Sequence, residues 1–368
     1  MTRLDVNGSV PKLKVAIAGL GRMGARHAMH FYGLTPRADL IAASTPDPRE
    51  IAWAQTAIPG VRMYTDYDEM LQEETKNGLQ AVIVASATTV HAEQAIKAIN
   101  IGLHVLCEKP LSTSVEASES VVTAYKKSLE KQPSQKVICG FSRRFDASYR
   151  DAFEKLQSGM IGEPTVFRSQ TCDKMDATIS FVEYAKYSGG IFVDCSIHDI
   201  DLALWFFGEG IRVKSVVAVG ITAVWPKLRE YNDRDNAFGI IEFYGGKIAQ
   251  IFCSRMMTAG QEDCTEIIGS EGKLSINTQP ISNLVNIHEA TGIRRELFSD
   301  YYGRFRDAFI AEANEFTASC LDNKAPPLKL DGAVNAVRIA LALQDSLITG
   351  EKIEFDENGH RLCRSILR

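Results

Sequence analysis

From Lys14 onward, short wholly apolar runs alternate with longer segments of mixed polarity. Lys14-Val15-Ala16-Ile17-Ala18, Leu40-Ile41-Ala42-Ala43, Ala81-Val82-Ile83-Val84-Ala85, His104-Val105-Leu106-Cys107 and Lys136-Val137-Ile138-Cys139-Gly140 read as strands. The stretches between them carry helical periodicity over 22–34, 47–57, 90–101 and 114–130. Strands that are apolar on both faces and separated by helices predict a parallel sheet covered on both sides, the doubly wound α/β arrangement. After Phe141 the rhythm changes. A helix over 146–158 and a strand over 165–171 come first, then a strongly apolar helix over about 190–207. Residues 211–288 read as consecutive strands with turn signals at Tyr244-Gly245-Gly246-Lys247 and Gly269-Ser270-Glu271-Gly272. Helices near 302–321 and 331–348 follow. Strands in series with flanking helices predict an α+β second domain. The expected division is residues 1–140 and 141–368, with the boundary between 132 and 146.

The 368 residues carry 41 Lys and Arg against 46 Asp and Glu, a net charge of −5. No basic stripe is present, so phosphate-neutralising nucleic-acid binding is not expected. No window reaches 18 apolar residues, and residues 1–14 lack the apolar core of a signal peptide. The eight cysteines, at 107, 139, 172, 195, 253, 264, 320 and 363, show neither zinc spacing nor a disulfide framework. They read as buried reduced thiols, and the expected compartment is the cytoplasm. The histidines at 27, 30, 91, 104, 288 and 360 form no metal-ligand spacing, so no metal is expected.

The turn Gly19-Leu20-Gly21-Arg22-Met23-Gly24 matches G-x-G-x-x-G between a strand and a helix. In that context the first glycine permits the tight turn, the second lets a pyrophosphate approach the backbone, and the third allows close helix–strand packing. The helix N-terminus that follows favours phosphate. Where an acid would be expected to bind the ribose 2′-hydroxyl, the chain has Ser44 and Thr45, with Asp47 later. Thr45 would tolerate a 2′-phosphate and Arg49 could pair with one, so NAD and NADP both remain open, with the balance toward NADP or dual use.

Two further segments carry chemistry. Glu108-Lys109-Pro110 follows a strand and so lies at the carboxyl edge of the sheet, where ligands of doubly wound folds bind. Lys109 can there donate a proton or hydrogen bond to a substrate oxygen; taken alone, a lysine before a turn proline also suits a plain surface turn. In the run 189–202, a continuous helix would place Asp194, His198 and Asp201 on one stripe beside an apolar one. His198 can exchange protons near neutral pH, and either aspartate could orient it or bind hydroxyls. A structural histidine–carboxylate pair would carry the same pattern.

Together, Gly19–Gly24, Glu108-Lys109-Pro110 and Asp194-x-x-x-His198-Asp199 resemble the glucose–fructose oxidoreductase / inositol dehydrogenase family (Gfo/Idh/MocA) over residues 13 to 350. Thr88 and His91, in the loop after Ala81–Ala85, extend the likeness, and Gly140-Phe141-Ser142-Arg143-Arg144-Phe145-Asp146 is similar to its inositol dehydrogenases. The resemblance implies a Rossmann domain followed by a domain with a large open, mainly antiparallel sheet, whose exposed face builds homodimers or homotetramers. It implies NAD or NADP held by the glycine turn with Arg22 and Met23, by Thr45 and Arg49, and by Thr88, His91, Glu108 and Lys109. It also implies hydride transfer with a secondary hydroxyl of a polyol or sugar, with Lys109 and His198 as the catalytic pair and Asp194 beside them. Thr45 departs from the aspartate common in NAD-using members. Arg143, Arg144, Tyr149 and the segment Met175–Tyr187 are candidate substrate walls. Some relatives of this fold are non-catalytic nucleotide sensors; these need the glycine turn but neither Lys109 nor His198.

Overall fold

The computed structural model describes residues 11–176, 180–326 and 328–362. These form two compact units: the described residues up to Phe145 with Asp307–Val334, and Asp146–Arg306 with the described residues from Asn335 onward. The chain thus returns to the first unit after Arg306, a crossing that a single division near residue 140 does not include.

The first unit is built on six parallel strands. They are β1 (Leu13–Ala18), β2 (Ala38–Ser44), β3 (Arg62–Tyr64), β4 (Ala81–Val84), β5 (His104–Glu108) and β6 (Val137–Gly140), in spatial order β3-β2-β1-β4-β5-β6. This is the doubly wound order, with the strand sequence reversing beside β1. The crossovers are α1 (Arg22–Met29), α2 (Pro48–Ala57), α3 (Tyr67–Lys76), α4 (His91–Asn100) and α5 (Val115–Leu129). All four residues of β4 and of β6 are buried, as expected of strands covered on both faces. The helix expected over 22–34 is α-helical only to Met29 and continues as a π-helical turn over His30–Leu34. The apolar pattern does not signal β3 and α3. β3 has three residues, and in α3 only Tyr67, Met70 and Leu71 are apolar, with Asp66 capping the helix through Glu69 N at 2.8 Å. The returning segment is tied in by the Arg37–Asp322 fork (2.7 and 2.8 Å) and by Phe309, which packs against His27 and His30.

The second unit begins with α6 (Ala147–Gln157) and β7 (Pro164–Lys174), followed by three helices, α7 (Ser180–Ala185), α8 (Ile191–Asp194) and α9 (Ile197–Phe207). Then come β8 (Val213–Ile221), β9 (Asn236–Phe243), β10 (Lys247–Met257), β11 (Glu262–Gly269) and β12 (Lys273–Ile276), a small hairpin of β13 (Ile287–Glu289) and β14 (Gly292–Arg294), and β15 (Ile353–Glu354). Two long helices, α10 (Tyr301–Leu321) and α11 (Leu330–Thr349), pass from one unit to the other along the chain. Seven strands form one sheet in the order β12-β11-β7-β10-β9-β8-β15, antiparallel except for β7 beside β10. The β9–β10 connection carries positive φ at Gly245 (86°) and Gly246 (80°), a conformation only glycine adopts readily. One sheet face is covered by α9, whose Phe206 and Phe207 each lie 6.2 Å from Phe167 of β7, centroid to centroid. The opposite face leaves apolar side chains in solvent: Val219 is 64% exposed, Ile221 62% and Phe238 45%. Phe238 and Phe252 stack there at 4.4 Å.

The run 190–207 is not one helix. Turn residues Cys195 and Ser196 separate α8 from α9, so Asp194 ends one helix and His198 begins the next. The single stripe of Asp194, His198 and Asp201 is therefore replaced by a bend. The described cysteines are all free thiols; five are buried, and Cys363 lies outside the described residues. No helix among the described residues is long and apolar enough to cross a membrane.

Candidate functional site

The glycine turn meets the steric demands of its motif one residue at a time. Gly19 has φ +86°, and a Cβ there would stand 2.5 Å from Ser86 Cα. A Cβ on Gly24 would stand 2.0 Å from Gly19 O, so only glycine lets α1 close onto β1. Gly21, the N-cap of α1, is different: among the described residues beyond its chain neighbours, only Glu50 Oε1 comes near, 3.6 Å from where a Cβ would be. No side chain caps α1. An open backbone position followed by an uncapped helix N-terminus fits the pyrophosphate of a dinucleotide. Arg22 and Met23 open the same helix, with Arg26 Nη1 against Met23 Sδ at 3.5 Å.

At the end of β2, Thr45 is buried and its hydroxyl donates to Glu50 Oε2. Asp47 caps α2 by accepting from Arg49 N at 2.8 Å, and it holds the Arg49 guanidinium at 2.6 Å. The Arg49 hydrogen bonds pull the Asp47 carboxyl down to about 2. Sequence reasoning named Thr45 and Arg49 but missed Glu50, which brings a carboxylate to the glycine turn. The only sequence signal was an acid five residues beyond Thr45, in the first turn of a helix.

Lys109 follows β5, and its N–H donates to Glu108 Oε2 at 3.0 Å. The Lys109–Pro110 peptide is cis. Glu108 is buried, with Oε1 2.6 Å from His27 Nε2. Burial works to raise the Glu108 carboxyl. The His27 hydrogen bond and the electrostatics of His27, Lys109 and His91 outweigh it and hold the group below its usual range. His91 sets both ring nitrogens against main-chain carbonyls, Pro110 O at 2.9 Å and Ser86 O at 3.0 Å. It straps the loop after β4 to the Lys109-Pro110 turn. Thr88 is buried in the short 3₁₀ turn just before His91.

Behind this turn lies a group the sequence did not signal. Glu312 of α10 is wholly buried, and neither carboxyl oxygen has a hydrogen-bond partner. Burial, and secondarily the charge of Glu108, push its carboxyl well above the ordinary value of 4.5. A raised acid keeps its proton in the folded state. Its contribution to stability is therefore complete below the unfolded value and is lost as pH rises above it. Glu312→Gln, which mimics the protonated form, is expected to remove a loss of up to about 1.4 kcal/mol per pH unit across that window. Thermal unfolding between pH 5 and 8 checks this; the same slope in both proteins would exclude a buried neutral acid.

In the second unit, Asp194 closes α8 and accepts from Arg255 Nη2 at 3.0 Å. Arg255 is buried on β10 and reaches Asp233 Oδ2 with Nη1 at 2.6 Å. Asp233 in turn accepts from Ile191 N at 2.8 Å, fixing the start of α8. Burial opposes the Arg255 charge, but Cys195, Asp233 and Asp194 more than offset it, and the guanidinium stays protonated. His198 is buried at the start of α9. Its Nε2 is 3.0 Å from the Tyr301 hydroxyl, and the two rings stack at 5.2 Å. Asp199 faces the sheet, accepting from Ser169 Oγ at 2.6 Å and Thr171 Oγ1 at 2.5 Å. Asp199 thus anchors α9, while Asp201 is buried two residues further along the same helix. Arg255, Asp233 and Tyr301 lie 57, 35 and 103 residues from His198 in sequence, beyond any local motif.

Of the expected substrate walls, Tyr149 is buried with its hydroxyl 2.9 Å from Thr265 Oγ1, a packing role. Arg143 and Arg144 are buried in a 3₁₀ turn after β6. Within Met175–Tyr187, residues 177–179 lie outside the described residues, and Tyr184 and Tyr187 are exposed.

Two family models match the chain: "Oxidoreductase family, NAD-binding Rossmann fold" over residues 13–131 and "GFO/IDH/MocA C-terminal domain" over 149–275. The scyllo-inositol 2-dehydrogenase (NAD(+)) of Bacillus subtilis is 32% identical, covering 94% of this chain and 97% of the relative. The crystal structure of scyllo-inositol dehydrogenase from Lactobacillus casei with bound NAD(H) and scyllo-inositol superposes with a TM-score of 0.86 at 32% identity. It covers 93% of this chain and 99% of that one. Myo-inositol 2-dehydrogenase from Lactobacillus plantarum gives a TM-score of 0.87 at 31% identity, over 94% and 100% of the two chains.

Proposed function

The chain belongs to the GFO/IDH/MocA oxidoreductase family, and from that premise we propose that it is an NAD-dependent dehydrogenase of inositol-type cyclic polyols. The observation that carries this reading is that both proton-handling side chains, Lys109 and His198, are present in a chain that matches such relatives over 94% of its length. A nucleotide sensor would need neither, and that reading is not favoured.

The glycine turn and the N-terminus of α1 hold the pyrophosphate. The nicotinamide, when bound, supplies the hydride acceptor for oxidation of a ring carbinol. His198 takes the hydroxyl proton on oxidation and returns it on reduction. Tyr301 holds one ring nitrogen of His198 and stacks on the ring, which fixes the imidazole plane. Lys109 donates to a substrate oxygen and stabilises the negative charge that develops there. Glu108 receives the Lys109 N–H and so restrains the turn that carries it. Asp194 accepts from a neighbouring substrate hydroxyl, with Arg255 limiting its rotation.

The test is reduction of NAD⁺ followed by absorbance, with myo-inositol, scyllo-inositol, aldoses and uronates as substrates. Activity confined to the inositols is expected. Activity with aldoses or uronates alone would overturn the substrate class.

The exposed apolar face of the seven-stranded sheet supports a homo-oligomer, since a contiguous patch of this kind is costly in water. Val219→Glu is expected to shift the sedimenting species toward monomer. A wild-type monomer would dismiss this assembly.

A further inference from the structure

The adenosine end of the dinucleotide site has no acid at the carboxyl end of β2, yet it does not lack a carboxylate. We propose that Glu50, anchored by Thr45, reads the ribose hydroxyls of the dinucleotide and rejects a 2′-phosphate, a role that rests on the dinucleotide reading given above. Two observations place it. The Thr45 hydroxyl holds Oε2, so the side chain is not free to swing into solvent. The other oxygen, Oε1, lies 3.6 Å from where a Cβ on Gly21 would stand, at the motif position left open for the ligand. A carboxylate held there can accept from ribose hydroxyls, as the strand-end acid does in other dinucleotide-binding sheets. A phosphate on the same ribose would bring like charges together.

Arg49, which could have favoured a 2′-phosphate, does not face this position. Its guanidinium forks onto Asp47 at 2.6 Å, with the side chain 89% exposed. Thr45 thus serves as the anchor of a displaced acid. The acid moves from the strand end to the first turn of α2, and the threonine takes its former place.

Calorimetric titration of the full chain with NAD⁺ and NADP⁺ tests the assignment without relying on turnover. The unmodified protein is expected to bind NAD⁺ more tightly. Glu50→Gln is expected to shrink that preference by about tenfold or more. Thr45→Val, which keeps the acid but removes its anchor, is expected to shrink it less, and Arg49→Ala is expected to leave it unchanged. Should Glu50→Gln fail to fold, Thr45→Val and Glu50→Asp carry the test. An unchanged preference in the Glu50 and Thr45 variants would overturn the inference alone. So would NADP⁺ preference in the unmodified protein that is lost in Arg49→Ala. Binding of neither dinucleotide to the unmodified protein would overturn the dinucleotide reading, and the inference with it.

Discussion

His198→Ala is expected to lower kcat for inositol oxidation by about 10²–10⁴, the usual worth of a positioned general acid–base. NAD⁺ affinity should stay near wild type, because the glycine turn belongs to the other compact unit. Lys109→Ala is expected to lose a comparable factor, since charge developing on the substrate oxygen would go unstabilised. If the two residues serve the same step, the double variant will be little worse than either single one. Tyr301→Phe removes the hydrogen bond but keeps the stack, so its loss should be smaller and should come with a displaced pH profile. Steady-state kinetics combined with dinucleotide titration separates these outcomes. Full activity in both alanine variants would remove Lys109 and His198 from the mechanism.

The largest stability effect is expected at Arg255. Its side chain is buried between Asp194 and Asp233, and the Asp233 side chain has no solvent exposure. Arg255→Ala strands a buried carboxylate, which costs about 3–5 kcal/mol. The damage should spread to the start of α8, because Asp233 also accepts from Ile191 N. Arg255→Lys keeps the charge but loses the two-pronged geometry that joins both aspartates, so it should rescue only part of the loss. Urea unfolding with tryptophan fluorescence gives the number. A change below about 1 kcal/mol would mean that the pair is solvated rather than buried.

The first unit was legible because its signals are local. Strands buried on both faces write themselves as unbroken apolar runs, and the glycine turn encodes its own sterics at Gly19 and Gly24. α3 escaped notice because its surface is mostly charged and only one narrow side is buried. Lys109, Asp194 and His198 were named from the sequence, but Tyr301 and Arg255, which hold His198 and Asp194, were not. Tyr301 and Arg255 meet their partners only after folding, at sequence separations of 103 and 61 residues. The break between α8 and α9 was hidden because Cys195 and Ser196 continue the apolar and small character of the run. Glu50 was overlooked because the expectation was tied to the strand end, whereas the side chain reaches back from a helix.

The return of Asp307–Val334 to the first unit also bears on how the protein is made. During synthesis the six strands emerge early, but the segment that packs Phe309 against His27 and His30 and clamps Arg37 leaves the ribosome only after strands β7 to β14 of the second unit. The dinucleotide-binding unit therefore cannot finish folding as an N-terminal domain ahead of the rest, although domains commonly fold in that order. A nascent chain stalled near residue 145 should hold all six strands but lack the returning helical segment, leaving an apolar flank bare. Emergence of Asp307–Val334, rather than completion of the first unit's own strands, then sets the moment at which the protein becomes competent to bind its cofactor.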